Sequence, residues 1–256
     1  MHRLLFALAL VLTAPAFSQT TKAPAAYEPS VGQEGKDVVW VPTPQVLVDK
    51  MLDMSKLTPK DFVMDLGSGD GRTVITAAKR GAHAVGIEYN PNMVELSKRN
   101  AAKAGVGERA QFMKADLFET DLSKATVITM FLLPDINLKL RPKILSLKPG
   151  TRVVSNSFTM GEWEADETAT LGSDAGCTES WCTALLRIVP ARVAGTYKVA
   201  QGEVTLKQEF QKLSGTLRTD SKTFGLEGAV RGESIVFKAG GREYRGRLNG
   251  KSLELQ

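Results

Sequence analysis

Residues 62–72 read Phe62-Val63-Met64-Asp65-Leu66-Gly67-Ser68-Gly69-Asp70-Gly71-Arg72. The first five predict a buried strand, since a short apolar run bounded by glycine has that signature. Glycines at 67, 69 and 71 let a tight turn close and let a ligand touch the backbone. A helix is predicted from Gly71 to Arg80, and its first amide groups attract negative charge or a carboxylate oxygen. Arg72 stands where a dinucleotide fingerprint G-x-G-x-x-G requires its third glycine. The turn also lacks the Gly-Lys-Ser/Thr of a phosphate loop.

Working outward, strands and helices alternate. Pro44 to about Lys56 predicts a helix, with Thr43 as N-cap and Pro44 at the first helical position. Strands are expected at His83–Glu88, Ala110–Lys114, Ala125–Phe131 and Thr151–Ser157. Asn90 caps a helix from Pro91 to about Ala104. A further helix from Asp135 to Leu147 should be interrupted or restarted by Pro142. The alternation calls for a mainly parallel sheet with helices on both faces. Thr168–Leu171 and Trp181–Val189 read as a hairpin on its antiparallel edge. After Pro190, seven short strand candidates separated by Gly, Asn and Asp predict a small antiparallel barrel or curled sheet.

Three acidic positions fall at strand C-terminal ends, where ligands bind in open α/β sheets. Asp65 opens the glycine turn. Glu88 follows it by 23 residues and can accept both hydrogens of a ribose diol; the bland alternative is a solvated loop charge. Asp116, in Ala115-Asp116-Leu117, can accept a proton from an adenine amino group, with Tyr89 and Leu117 on either side of the ring. Phe131-Leu132-Leu133-Pro134-Asp135 ends the fourth strand and is the natural acceptor wall, with Phe131 and Asp135 as the catalytic candidates. That stretch also reads simply as a strand turning into a helix. Thr43 either touches the ligand or only caps its helix, and Trp163 either lines a pocket or covers the sheet edge. No Ser-His-Asp arrangement stands out. A metal site is not expected, since only His2 and His83 offer imidazole nitrogen.

Asp65 to Gly71 resembles motif I of class I methyltransferases that use S-adenosylmethionine (SAM), and Glu88 and Asp116 match their acidic positions after the second and third strands. The resemblance covers roughly residues 38–190. It implies a Rossmann-like fold and SAM as cofactor, contacted by Thr43, Asp65, Gly67, Ser68, Gly69, Gly71, Glu88, Tyr89, Asp116 and Leu117. Val41-Pro42-Thr43-Pro44, Asp65 to Arg72 and Ala115-Asp116-Leu117 are similar to a narrower group. That group includes the mitochondrial lysine methyltransferase of the ATP synthase c subunit and its bacterial relatives. The resemblance implies methyl transfer to an amine, with a protein lysine or a small molecule as acceptor.

Other features depart from that setting. Met1-His2-Arg3, the apolar run Leu4–Leu12 and the small residues up to Ser18 have the layout of a secretory signal peptide. The expected organisation is a signal peptide at 1–18, a linker at 19–37, a SAM-dependent methyltransferase domain at 38–190 and a β-barrel-like domain at 191–256. Export to a periplasmic or extracellular location follows, with no membrane-spanning segment once the signal is removed. The two cysteines, Cys177 and Cys182, either staple a loop or remain free thiols. Residues 186–256 hold 13 Lys/Arg and 7 Asp/Glu, a net of +6, against −1 for the rest. That excess suits an anionic envelope surface or is only a solvated exterior. No aromatic-basic motif for nucleic acid stands out. A second reading is an exported nucleoside-binding or envelope interaction protein without turnover.

Overall fold

The computed structural model describes residues 27–256. The expected signal peptide and the start of the expected linker lie outside the described residues.

The first sheet is built from β1 (Phe62–Leu66), β2 (His83–Glu88), β3 (Ala110–Lys114), β4 (Val127–Met130), β5 (Arg152–Asn156), β6 (Glu167–Thr170) and β7 (Thr183–Ile188). Their order is β3-β2-β1-β4-β5-β7-β6. The first five are parallel, and β7 runs antiparallel to both β5 and β6. The hairpin thus inserts its second strand against β5 and leaves β6 at the edge. Helices α1 (Gln45–Met54), α2 (Arg72–Lys79), α3 (Pro91–Lys103) and α4 (Pro134–Leu145) cover the sheet. Period-two alternation sends Met64 and Leu66 into one apolar layer and Val63 into the other, so β1 is buried on both faces. Each fully buried branched side chain there contributes roughly 1.5–3 kcal/mol.

Local chemistry sets most helix ends. Asn90 Oδ1 accepts from the Asn92 amide at 2.9 Å, and Pro91 occupies the first turn. Such a cap stabilises a helix by about 1 kcal/mol.

Two expectations need correction. Pro44, not Thr43, is the cap position of α1, and no side chain caps that helix. Thr43 is taken up by tertiary partners instead: its hydroxyl accepts from Asn156 Nδ2 at 3.3 Å and its carbonyl from Arg72 Nη1 at 3.0 Å. Pro142 does not interrupt α4, which runs through it. The carbonyl its ring disturbs, four residues back at Leu138, lies on the exposed side of the helix, where water can replace the lost bond.

The second sheet is a seven-strand antiparallel meander: β8 (Gly195–Val199), β9 (Gly202–Glu209), β10 (Lys212–Arg218), β11 (Thr223–Arg231), β12 (Ser234–Ala239), β13 (Arg242–Asn249) and β14 (Ser252–Leu255). It curls until β14 lies beside β8, a near-barrel around its own core, which includes Val204, Leu217, Leu226 and Phe237. It docks on the first sheet through Arg141 over the Phe210 ring at 5.2 Å, Gln211 Nε2 donating to the Glu164 carbonyl at 2.9 Å, and ion pairs Lys212–Glu164 and Arg231–Glu167. None of these residues lines the cleft described below.

Residues 32–40, partly assigned to the linker, form a tight hairpin. The Gly32 amide donates to the Trp40 carbonyl at 2.8 Å, and the Trp40 amide to the Gln33 carbonyl at 2.9 Å. The polar, glycine-rich composition reads as a loop, but Trp40 and Lys36 tie the hairpin to the sheet. Among the described residues, no helix is long and apolar enough to cross a membrane.

Candidate cofactor and acceptor site

The C-terminal ends of β1, β2 and β4, and the turn after β3, open into one cleft, closed on its outer side by the 32–40 hairpin. The Gly67 and Ser68 amides both donate to the Ile87 carbonyl, at 2.9 and 3.1 Å, which pins the turn to β2. Gly67, Gly69 and Gly71 have φ of +77°, +54° and +83°, the left-handed region that L side chains avoid. Space is as limiting as conformation at Gly71, where an added Cβ would stand 2.7 Å from the Phe112 ring and 2.9 Å from Ser97 Cβ.

Three carboxylates surround this turn. Glu88 accepts from the Gly69 amide through Oε2 and from the Asn90 amide through Oε1, each at 2.9 Å. Both oxygens are oriented yet keep a lone pair for a ligand. Asp116 accepts from the Phe118 amide at 2.9 Å and from Lys36 Nζ at 2.6 Å. The Lys36 ammonium, with that amide, holds the Asp116 carboxyl below the usual range. The same ammonium sits 4.5 Å from the Tyr89 ring centroid, so it covers both groups expected at the adenine end.

Asp65 is buried, and its Oδ1 accepts from Thr129 Oγ1 at 2.6 Å. Burial, reinforced by the nearby Asp70 and Glu88 charges against the Thr129 bond, pushes its carboxyl up to about 7. Between roughly pH 4 and 7 the folded state therefore keeps a proton that the unfolded chain has lost, and stability falls as pH rises through that window. A cation bound beside Asp65 reverses the preference. Binding of SAM at pH 6 is expected to release up to about one proton, and affinity should climb towards pH 7 and then level off. Calorimetry in buffers of different ionisation enthalpy reads this directly; proton uptake, or none, would show that Asp65 does not face the cationic end.

Of the residues singled out from sequence, Thr43, Asp65, Gly67, Ser68, Gly69, Glu88, Tyr89, Asp116, Leu117 and Phe131 line the cleft. Gly71 lies just behind it at the start of α2. The Ser68 hydroxyl is buried without a partner. Asp135 stands exposed in the first turn of α4 and does not reach the cleft. Trp163 is fully buried in the core, its carbonyl accepting from Arg187 Nε at 2.7 Å, and also lies outside the cleft. Sequence reasoning missed Lys36 and Trp40. Their signal is only a turn followed by Val38-Val39-Trp40-Val41, an apolar run with no obvious partner.

The set of carboxylate acceptors fits SAM. A ligand carrying an ammonium, a sulfonium, a ribose diol and an adenine amino group is matched by three separated carboxylates. A pyrophosphate would meet them unfavourably. The family described as ANTKMT methyltransferase domain matches residues 65–167. The protein-lysine N-methyltransferase of Saccharolobus islandicus is 47% identical over 133 residues, which is 51% of this chain and 83% of that protein. The chain belongs to the SAM-dependent methyltransferases. This methyltransferase is also 39% identical over 113 residues to the mouse lysine N-methyltransferase of the ATP synthase c subunit, spanning 44% of this chain and about half of the relative (46%). Among solved structures, an RNA methyltransferase from Salinibacter ruber in complex with S-adenosyl-L-homocysteine superposes with a TM-score of 0.55 at 44% identity, over 60% of this chain and 96% of that one. The methyltransferase's second sheet lies outside the family match, which ends at residue 167.

Proposed function

We propose that this enzyme is a protein-lysine N-methyltransferase. The 47% identity to the Saccharolobus enzyme over 83% of its length supports the reading most directly. SAM supplies a methyl group on a sulfonium, an electrophile that needs no metal or acid. The chain's own residues hold and orient. Glu88 takes the ribose diol, and Asp116 takes the adenine amino group between Tyr89 and Leu117 once the Lys36 ammonium is displaced from Asp116 and the Tyr89 face. Asp65 and Thr43 face the methionine end, and the turn of Gly67, Ser68, Gly69 and Gly71 supplies the close backbone. Phe131, at the end of β4, walls the acceptor side. An apolar wall lowers the pKa of an approaching lysine and favours the neutral, nucleophilic amine. The backbone carbonyls of Phe131 and Leu132 are the candidates to accept its N–H groups, since that of Leu133 already accepts from the Ile136 and Asn137 amides. We assign no catalytic step to Asp135, which stands in solvent.

The Cys177–Cys182 bond supports export to an oxidising compartment. The net charge of the second domain supports contact with an anionic envelope surface.

The test is to incubate the full chain with methyl-labelled SAM and separate envelope-protein and RNA fractions. Methylated lysine, identified by mass spectrometry in the protein fraction, is expected. Label confined to RNA, as the name of the Salinibacter neighbour would have it, rejects the proposal.

A further inference from the structure

We infer that Phe131, Phe158 and Trp181 form an acceptor subsite for a lysine side chain, which enters as the neutral amine and becomes a cation on methylation, and that the Cys177–Cys182 disulfide places Trp181 in it. The inference rests on the amine-acceptor reading above and adds the residues that would recognise the amine. The three ring centroids lie 5.9, 5.9 and 5.6 Å apart, each ring touching the other two. They come from three separate loops: Phe131 directly after β4, Phe158 shortly after β5, and Trp181 one residue short of β7. Phe131 also lines the cofactor cleft, so the cluster begins where the wall of the methyl-donor site ends. Trp181 is 37% exposed, which leaves the cluster open to solvent on one side.

Each outer ring is held by a device that a simple apolar patch does not need. Cys177 and Cys182 are bonded and buried, and they close the short loop carrying Trp181 next to one of the sulfurs. Ser157 has a φ of +56°, and the Phe158 amide donates to the Asn156 carbonyl at 2.6 Å, a tight turn of the strained γ kind. Such backbone persists only where the surroundings over-determine it. Here they do: the Ser157 amide donates to the Thr183 carbonyl at 2.7 Å, and the Phe158 carbonyl accepts from Ser155 Oγ at 2.9 Å and Asn137 Nδ2 at 3.4 Å.

Aromatic faces carry negative quadrupole charge, so the exposed side of the cluster favours the positive charge that the nitrogen gains on methylation, while the ring area packs against an aliphatic stem. Trp181 is tilted by 55° and 46° to the other two rings.

The experiment uses the full chain saturated with S-adenosylhomocysteine and two probes, Nε-trimethyllysine amide and adenosine, titrated by NMR. Trimethyllysine amide is expected to bind. Trp181→Ala should weaken it by about tenfold, Trp181→Phe should retain most of the affinity, and reduction of the disulfide should weaken it several-fold. S-adenosylhomocysteine affinity of the Trp181 variants should not change. Wild-type affinity for the probe in Trp181→Ala, or tighter binding of adenosine than of trimethyllysine amide, overturns the subsite. Trp181-dependent probe binding without any lysine methylation would uphold the subsite and reject the proposed function. Lysine methylation at full rate by Trp181→Ala would do the reverse.

Discussion

Glu88→Ala is expected to weaken SAM binding by at least about 100-fold, on the basis of two charge-assisted hydrogen bonds worth roughly 1.5–3 kcal/mol each. The loss has two sources. The carboxylate that would receive the ribose hydroxyls disappears. So does the acceptor that holds the Gly69 and Asn90 amides, and the glycine turn loses its tie to the end of β2. Glu88→Gln separates the two sources. Its amide oxygen can keep one backbone bond, but its nitrogen cannot accept the other, so an intermediate affinity is expected. Calorimetric titration of the three proteins with SAM checks the order. An unchanged affinity in Glu88→Ala would remove the ribose assignment.

Gly71→Ala is expected to cost about 2–5 kcal/mol of stability, combining roughly 1–2 for a left-handed alanine with about 1–3 for overpacking. The overpacking follows from the Phe112 ring and Ser97 Cβ, both under 3 Å from where the new methyl group would stand. At about 2–4 °C per kcal/mol the melting temperature should fall by roughly 4–20 °C. Gly105→Ala is the control. Its φ is +71°, but nothing lies within 4 Å of an added Cβ, so only the conformational cost of about 1–2 kcal/mol remains. Equal losses in the two variants would show that packing behind the turn contributes nothing.

The glycine turn, the acidic strand ends and the alternation of elements were legible because they depend on neighbours in sequence. Gly67, Gly69 and Gly71 are required by their own dihedral angles. Glu88 and Asp116 follow strands whose apolar pattern marks where they end. The seven strands after Pro190 were legible for the same reason, each bounded by turn residues and alternating in burial. The unbroken helix through Pro142 was not legible, because the exposure of the Leu138 carbonyl depends on which face of α4 meets the sheet.

The sequence by itself determined the α/β alternation, the cofactor turn and the acidic positions around it, since hydrophobic period and turn chemistry act over a few residues. Only the tertiary structure decided which distant residues complete the site. Lys36 meets Asp116 across 80 positions, and Thr43 meets Asn156 across 113. Trp181 meets Phe131 because β7, rather than β6, pairs with β5. Strand order and register set those meetings, and both come from burying two apolar layers at once, a condition on the whole chain that no local stretch encodes.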